Sequence, residues 1–98
     1  MNFYYTYILK CSDQSYYVGV TNDVERRLVE HQEGINVTCY TYSRRPLELV
    51  YFEKFIDILQ AIAREKQLKG WSRKKKEALI EERGTDLKLF SKKKFNKN

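Results

Sequence analysis

The sequence predicts an α+β fold, a small three-stranded antiparallel sheet flanked by about three helices in the order β-β-α-β-α-α. Three observations carry this. Two β-prone runs at the N-terminus are separated by four polar residues, which is the layout of a hairpin. Two later stretches have helical periodicity, a capping residue before them and a glycine after them. Between these lies one run in which apolar and charged residues alternate.

The first run is FYYTYILKC, residues 3 to 11, rich in aromatic and β-branched types. Ser12-Asp13-Gln14-Ser15 supplies the turn, and YYVGVT at 16 to 21 returns the chain, so Tyr7 and Tyr17 fall on adjacent strands. Gly19 is the only glycine in the hairpin and leaves room for a backbone, a side chain or a phosphate to approach closely.

Asn22 then reads as a cap with Glu25 in the capping-box position, so that a helix starts at Asp23 and ends near Gly34. Val24, Leu28 and His31 share one face of it, and Arg27 borders that face one turn before His31. Residues 35 to 46 show no periodicity and read as a loop. LELVYFEKF at 47 to 55 alternates as a half-buried third strand does.

A second helix is expected from Asp57, its cap, to Lys69, with Gly70 just beyond. Its inward stripe is Ile58, Ala61, Ile62, Glu65 and Leu68. A carboxylate in that stripe costs desolvation energy unless a cation meets it, and Arg27, a bound metal, or both are the expected partners. After Trp71, Ser72 can cap a third helix over RKKKEALIEER, whose basic first turn opposes the helix dipole. Residues 1–84 thus form one domain, and 85–98 read as a basic tail.

At 98 residues the chain has room for a single modest core, and its 42% hydrophobic content is ordinary for a globular protein. No apolar run approaches the roughly 18 residues a membrane span requires, so the reading is cytoplasmic with no membrane partner. Cys11 and Cys39 are too few for a disulfide framework and lack metal-ligand spacing; they read as reduced core or near-core residues. The net charge of +6 is uneven: residues 1–63 sum to −2 and residues 64–98 to +8. A basic C-terminal third suits a polyanion such as DNA or RNA. Arg44, Arg45 and the Arg73-Lys74-Lys75-Lys76 cluster are the expected phosphate contacts, which position nucleic acid without reading its bases.

Taken in order, Tyr7, then Tyr17-Val18-Gly19, then Arg27 and His31, then Glu65 resembles the GIY-YIG nuclease superfamily. The short stand-alone members are most similar, through Tyr-Ile-Leu-Lys-Cys, Thr-Asn-Asp-Val-Glu-Arg-Arg, Arg-Arg-Pro and Glu-Lys-Gln-Leu-Lys-Gly-Trp-Ser. Tyr5 and Thr6 replace the glycine and isoleucine of the name motif. No asparagine follows the glutamate helix before Asn96, where many catalytic members carry one.

The resemblance implies a metal-dependent nuclease, acting on DNA more than RNA, with catalytic residues Tyr7, Tyr17, Arg27, His31 and Glu65. Glu65 would hold Mg²⁺ or Mn²⁺, and Arg27 would bind a nonbridging phosphate oxygen. Tyr7 would act as a phenolate base, lowered toward neutrality by the metal and Arg27. His31 would relay its proton or orient a hydroxyl, and Tyr17 would hydrogen-bond the phosphate. The same residues also fit a nucleic-acid-binding module that cleaves weakly or not at all, and an accessory protein subunit is a further expected partner. Oligomeric state is left open.

Overall fold

The computed structural model describes residues 2–82, and within them the expected element order is found. Strands β1 (Tyr4–Lys10), β2 (Tyr16–Thr21) and β3 (Glu48–Phe55) form an antiparallel sheet in the order β2-β1-β3. Helix α1 spans Val24–Glu33, α2 spans Ile58–Lys69, and α3 covers residues 73–82 of the described chain. The end of the third helix and the expected basic tail at 85–98 lie outside the described residues.

The hairpin turn forms where the four polar residues put it. Asp13 accepts hydrogen bonds from the backbone and hydroxyl of Ser15, and Gln14 takes the left-handed conformation with φ 73°. In the resulting register Tyr7 faces Gly19, and Leu9 faces Tyr17.

Because β1 is central, its alternating side chains supply both faces of the sheet. Tyr7, Leu9 and Cys11 join Leu47, Tyr17, Leu28 and Leu49 under α1. Ile8 joins Val18, Tyr51 and Leu68, with Trp71, Leu79 and Ile80, under α2 and α3. Thr6 on this second face donates 2.7 Å to the carbonyl of Ala61, which fixes α2 against the middle strand.

The cap of α1 is displaced by one residue from the expected position. Asp23, in an extended conformation, accepts from the Arg26 backbone N–H, whereas Asn22 accepts from the Arg26 side chain. The Thr21 hydroxyl accepts from the Asp23 N–H and holds that residue at the cap, so Glu25 enters the first turn as a favourable charge rather than as a capping-box partner. Gly34 ends α1 in the left-handed conformation, φ 68°, as its position predicts. Asp57 caps α2 and Gly70 follows its end.

Residues 35–46 are irregular apart from one 3-10 turn at Tyr42–Arg44. The Gln32 amide fastens the end of this loop by bonding both the carbonyl and the N–H of Leu47, at 2.6 and 2.9 Å. The loop is thereby laid across the C-terminal end of α1, over the face that carries Tyr7.

Candidate active site

Tyr7 stands at the middle of β1 and is 2% exposed. Its ring fits because Gly19 lies opposite: a Cβ there would sit 2.5 Å from the Tyr7 hydroxyl oxygen and 2.6 Å from Cζ. Of the occupants the sequence allowed for this space, the structure supplies a side chain. Gly19→Ala is expected to destabilise the protein by about 1–3 kcal/mol through overpacking and to lower its thermal midpoint. An unchanged midpoint would mean that the Tyr7 ring has room to move aside.

His31 comes to the same point from the last turn of α1, 4% exposed, with Nε2 2.9 Å from the Tyr7 hydroxyl. Its other nitrogen, Nδ1, lies 2.8 Å from the hydroxyl of Thr41 in the loop. Tyr17 completes an aromatic triangle, its ring centroid 5.2 Å from that of His31 and 6.3 Å from that of Tyr7. Arg27, one helical turn before His31, bonds Glu30 at 3.0 Å, and its charge is near enough to act on Tyr7. Tyr7, Tyr17, Gly19, Arg27 and His31, read from the sequence as one group, are therefore brought together.

The electrostatics bear on the roles expected of Tyr7 and His31. Burial holds the Tyr7 phenol well above its usual pKa, reinforced by Tyr17, and Arg27 opposes this without reversing it. With Arg27 alone opposing burial, Tyr7 is thus a phenol hydrogen-bonded to an imidazole. Burial, aided by Arg27, pushes His31 down to about 4, so at neutral pH the ring is uncharged and has a lone pair to offer. Tyr17 is also raised, first by burial and then by Cys39.

The pairing of Glu65 corrects one expected partner, Arg27. Its carboxylate pairs with Lys69 at 3.1 Å, not with Arg27. The two helices lie on opposite faces of the sheet, so each charge takes a partner from its own next turn: Lys69 at i+4 for Glu65, Glu30 at i+3 for Arg27. With 21% of its side chain exposed, Glu65 is less deeply buried than its place in the apolar stripe suggested. It is still near enough to contribute to the raised pKa of Tyr17.

The sequence over residues 3–78 matches the GIY-YIG catalytic domain. The chain belongs to the GIY-YIG family. It is 46% identical to a UPF0213 protein of Haloquadratum walsbyi, over 88% of this chain and 94% of that one. A UPF0213 protein of Bacillus pumilus is 47% identical, over 81% and 80% of the two chains. The solution NMR structure of the UPF0213 protein from Bacillus halodurans, 38% identical, superposes with a TM-score of 0.59 over 92% of this chain and 95% of that one. The small GIY-YIG fold read from the sequence is therefore the fold of the chain.

Outside the GIY-YIG cluster, the expected phosphate contacts are distributed around the hairpin turn. Arg44 pairs with Asp13 at 3.0 Å, bonds the Tyr40 carbonyl at 2.8 Å and lies over the Tyr40 ring. Arg45 bonds the carbonyls of Tyr42 and Gln32. Arg73 lies over Tyr16, pairs with Glu77 at 3.0 Å and bonds the Gln14 carbonyl, approaching the turn from the other face. Lys75 lies over Trp71, and Lys74 is exposed. The arginines of this set thus brace the turn and loop, while Lys74 and Lys75 turn outward.

Two residues at the site were not marked as functional by the sequence. Thr41 is 1% exposed and donates to the Cys39 sulfur at 3.4 Å. Burial opposes ionisation of Cys39, but hydrogen bonds from Thr41 and Tyr17 hold its thiol below the usual range. The signal available was arithmetic: a buried histidine has two ring nitrogens, and the tyrosines on the strands account for only one.

Proposed function

We propose that the chain hydrolyses phosphodiester bonds in nucleic acid, DNA in preference to RNA, with low sequence selectivity and with a divalent metal ion. The observation that carries this reading is the buried 2.9 Å contact between the Tyr7 hydroxyl and neutral His31, beside the guanidinium of Arg27. Membership of a superfamily of nucleases supports it.

In the proposed reaction the Tyr7 oxygen takes a proton from the attacking water while its own proton passes to His31 Nε2. Tyr7 need not be ionised beforehand, which suits its raised pKa. Arg27, an obligate cation with several donors, binds a nonbridging phosphate oxygen and stabilises the charge that develops there. Tyr17, whose ring lies against those of Tyr7 and His31, offers its hydroxyl to the phosphate. Lys74, Lys75 and Lys76 attract the strand without reading its bases, alongside whichever of Arg44, Arg45 and Arg73 leave their internal partners.

The donor set fits Mg²⁺ or Mn²⁺. Magnesium keeps several waters and takes one or two carboxylates together with substrate phosphate. Among the described residues no three His, Cys, Asp or Glu side chains converge, and Glu65 is one partly exposed carboxylate on the helix across the sheet from the tyrosine cluster, near enough to raise Tyr17. Glu65 would hold the ion, which would supply Lewis-acid stabilisation of the departing oxygen.

The decisive experiment incubates the purified protein with labelled single-stranded, duplex and branched DNA and RNA, in Mg²⁺, Mn²⁺ or chelator, beside Glu65→Ala. Cutting that needs metal and disappears in the variant is the expected result. Salt-sensitive binding without cutting would instead establish a binding module of the same fold, a reading favoured by the Lys69 pairing of Glu65. Equal cutting by parent and variant would remove Glu65 from the mechanism.

No helix among the described residues is long and apolar enough to cross a membrane. A cytoplasmic location and an accessory subunit belong to the proposal.

A further inference from the structure

The histidine of the site can act as acceptor toward Tyr7 only in one of its two neutral tautomers, and the surrounding hydrogen bonds select that tautomer. Arg27 lies near enough for its charge to act on Tyr7, but it has donors and no acceptor and cannot take the Tyr7 proton. The Tyr7 proton is then directed at His31 Nε2, 2.9 Å away. At the opposite side of the ring, the Thr41 hydroxyl spends its own proton on the Cys39 sulfur, 3.4 Å away, and turns a lone pair to Nδ1 at 2.8 Å. Every group is satisfied when the ring proton is on Nδ1. With the proton on Nε2, His31 would donate to the Tyr7 oxygen, the Tyr7 proton would lose its acceptor in this group, and Cys39 would lose the Thr41 donor.

We infer that Thr41 is the positioning residue of the site and that, with Cys39 anchoring its hydroxyl, it holds the ring proton of His31 on Nδ1 and keeps Nε2 free for Tyr7. The order of donation is Tyr7 to His31 to Thr41 to Cys39, so one loop fixes the basicity of a residue on a helix. Thr41 touches no reacting atom in this scheme. Its contribution is the direction in which His31 presents its lone pair, the same service that a partner on the far nitrogen gives a metal-bound histidine.

This deepens the hydrolytic reading and rests on it for its kinetic consequence alone. The test therefore has two arms. In the first, the protein is labelled with ¹⁵N at histidine and the ring nitrogens of His31, the only histidine, are read by long-range ¹H–¹⁵N correlation at neutral pH. The parent is expected to show a protonated Nδ1 and a bare Nε2. Thr41→Val, which keeps the volume and removes the hydroxyl, is expected to move population to the Nε2-protonated form. Cys39→Ala should do so in part, because it frees the Thr41 proton to turn toward Nδ1. Thr41→Ser should restore the parent pattern, and backbone amide spectra of the same samples report that each variant is folded.

In the second arm, turnover of labelled DNA should fall about 10- to 100-fold in Thr41→Val with binding affinity unchanged, and recover in Thr41→Ser. A parent ring protonated on Nε2, or a Thr41→Val ring still wholly protonated on Nδ1, overturns the inference. A tautomer shift in a parent protein that cuts no substrate supports the role of Thr41 and refutes the nuclease reading instead.

Discussion

Tyr7→Phe is expected to reduce metal-dependent cutting of labelled DNA by about 10² to 10⁴-fold, the usual worth of a positioned proton acceptor, while leaving the fold in place. The substitution keeps the ring that fills the space opposite Gly19 and removes only the hydroxyl. In the folded protein this leaves His31 Nε2 buried and without its partner, a penalty of roughly 1–3 kcal/mol in stability. The kinetic loss should appear in turnover, with DNA affinity little changed, because Arg27 and the exposed lysines remain. Melting the variant and measuring single-turnover cleavage separates the two effects. Parent-like cleavage by a folded Tyr7→Phe would exclude Tyr7 from proton transfer and leave His31 acting directly on water.

Acidification should destabilise the protein through His31. Burial and Arg27, with Glu30 opposing, lower this residue from an ordinary 6.5 to about 4 in the folded chain. The unfolded chain therefore takes up a proton near pH 6.5 that the folded chain refuses until about pH 4. The stability this represents is complete above the unfolded value, is lost progressively as pH falls from about 6.5 to 4, and changes no further below that. The 2.5-unit difference corresponds to about 3 kcal/mol, a large part of the 5–15 kcal/mol that typically holds a domain folded. Urea unfolding at pH 7 and pH 4.5 measures it. Carboxylates begin to titrate in the same range, so the comparison is with His31→Gln, which should lose much less stability over that interval. Equal losses in both proteins would show that His31 is not the group responsible.

The architecture was legible because the elements carried concordant local signals. The hairpin had β-prone runs and a polar turn; α2 had Asp57 before it and Gly70 after it; β3 had alternation, although a register shift opposite Ile8 and Leu9 sends Leu49 to one face and Tyr51 to the other. Where two adjacent residues could do the same job, as Asn22 and Asp23 could at the start of α1, local sequence did not separate them. The hydroxyl of Thr21 decided between them by holding Asp23 at the cap.

Tyr7, Tyr17, Arg27 and His31 could be grouped because strand pairing and helical spacing are periodic, so faces can be counted along the chain. Thr41 and Cys39 lie in a loop with no period, where a side chain's direction is set by tertiary contacts such as the Gln32 bonds to Leu47. The Lys69 partner of Glu65 was missed for a related reason. Spacing identified a charge in an apolar stripe, but its exposure, and hence whether Lys69 one turn on would satisfy it, depended on how α2 lies against the sheet. Similarly, Arg44 and Arg45 are basic in sequence, but Asp13, Tyr40 and Tyr42 had to be placed before their use as internal braces could be seen.

The central position of β1 gives the site two unequal halves. Tyr7 belongs to the strand with a neighbour on each side, so it keeps its place until the sheet itself comes apart. Thr41 belongs to a loop fastened by the Gln32 amide, the Arg44 and Arg45 guanidinium groups and a backbone bond from Ser12 to the Arg44 carbonyl. In the proposed scheme, competence and foldedness therefore rest on different parts of the chain: the strands can stay paired while the orientation of the histidine depends on the loop.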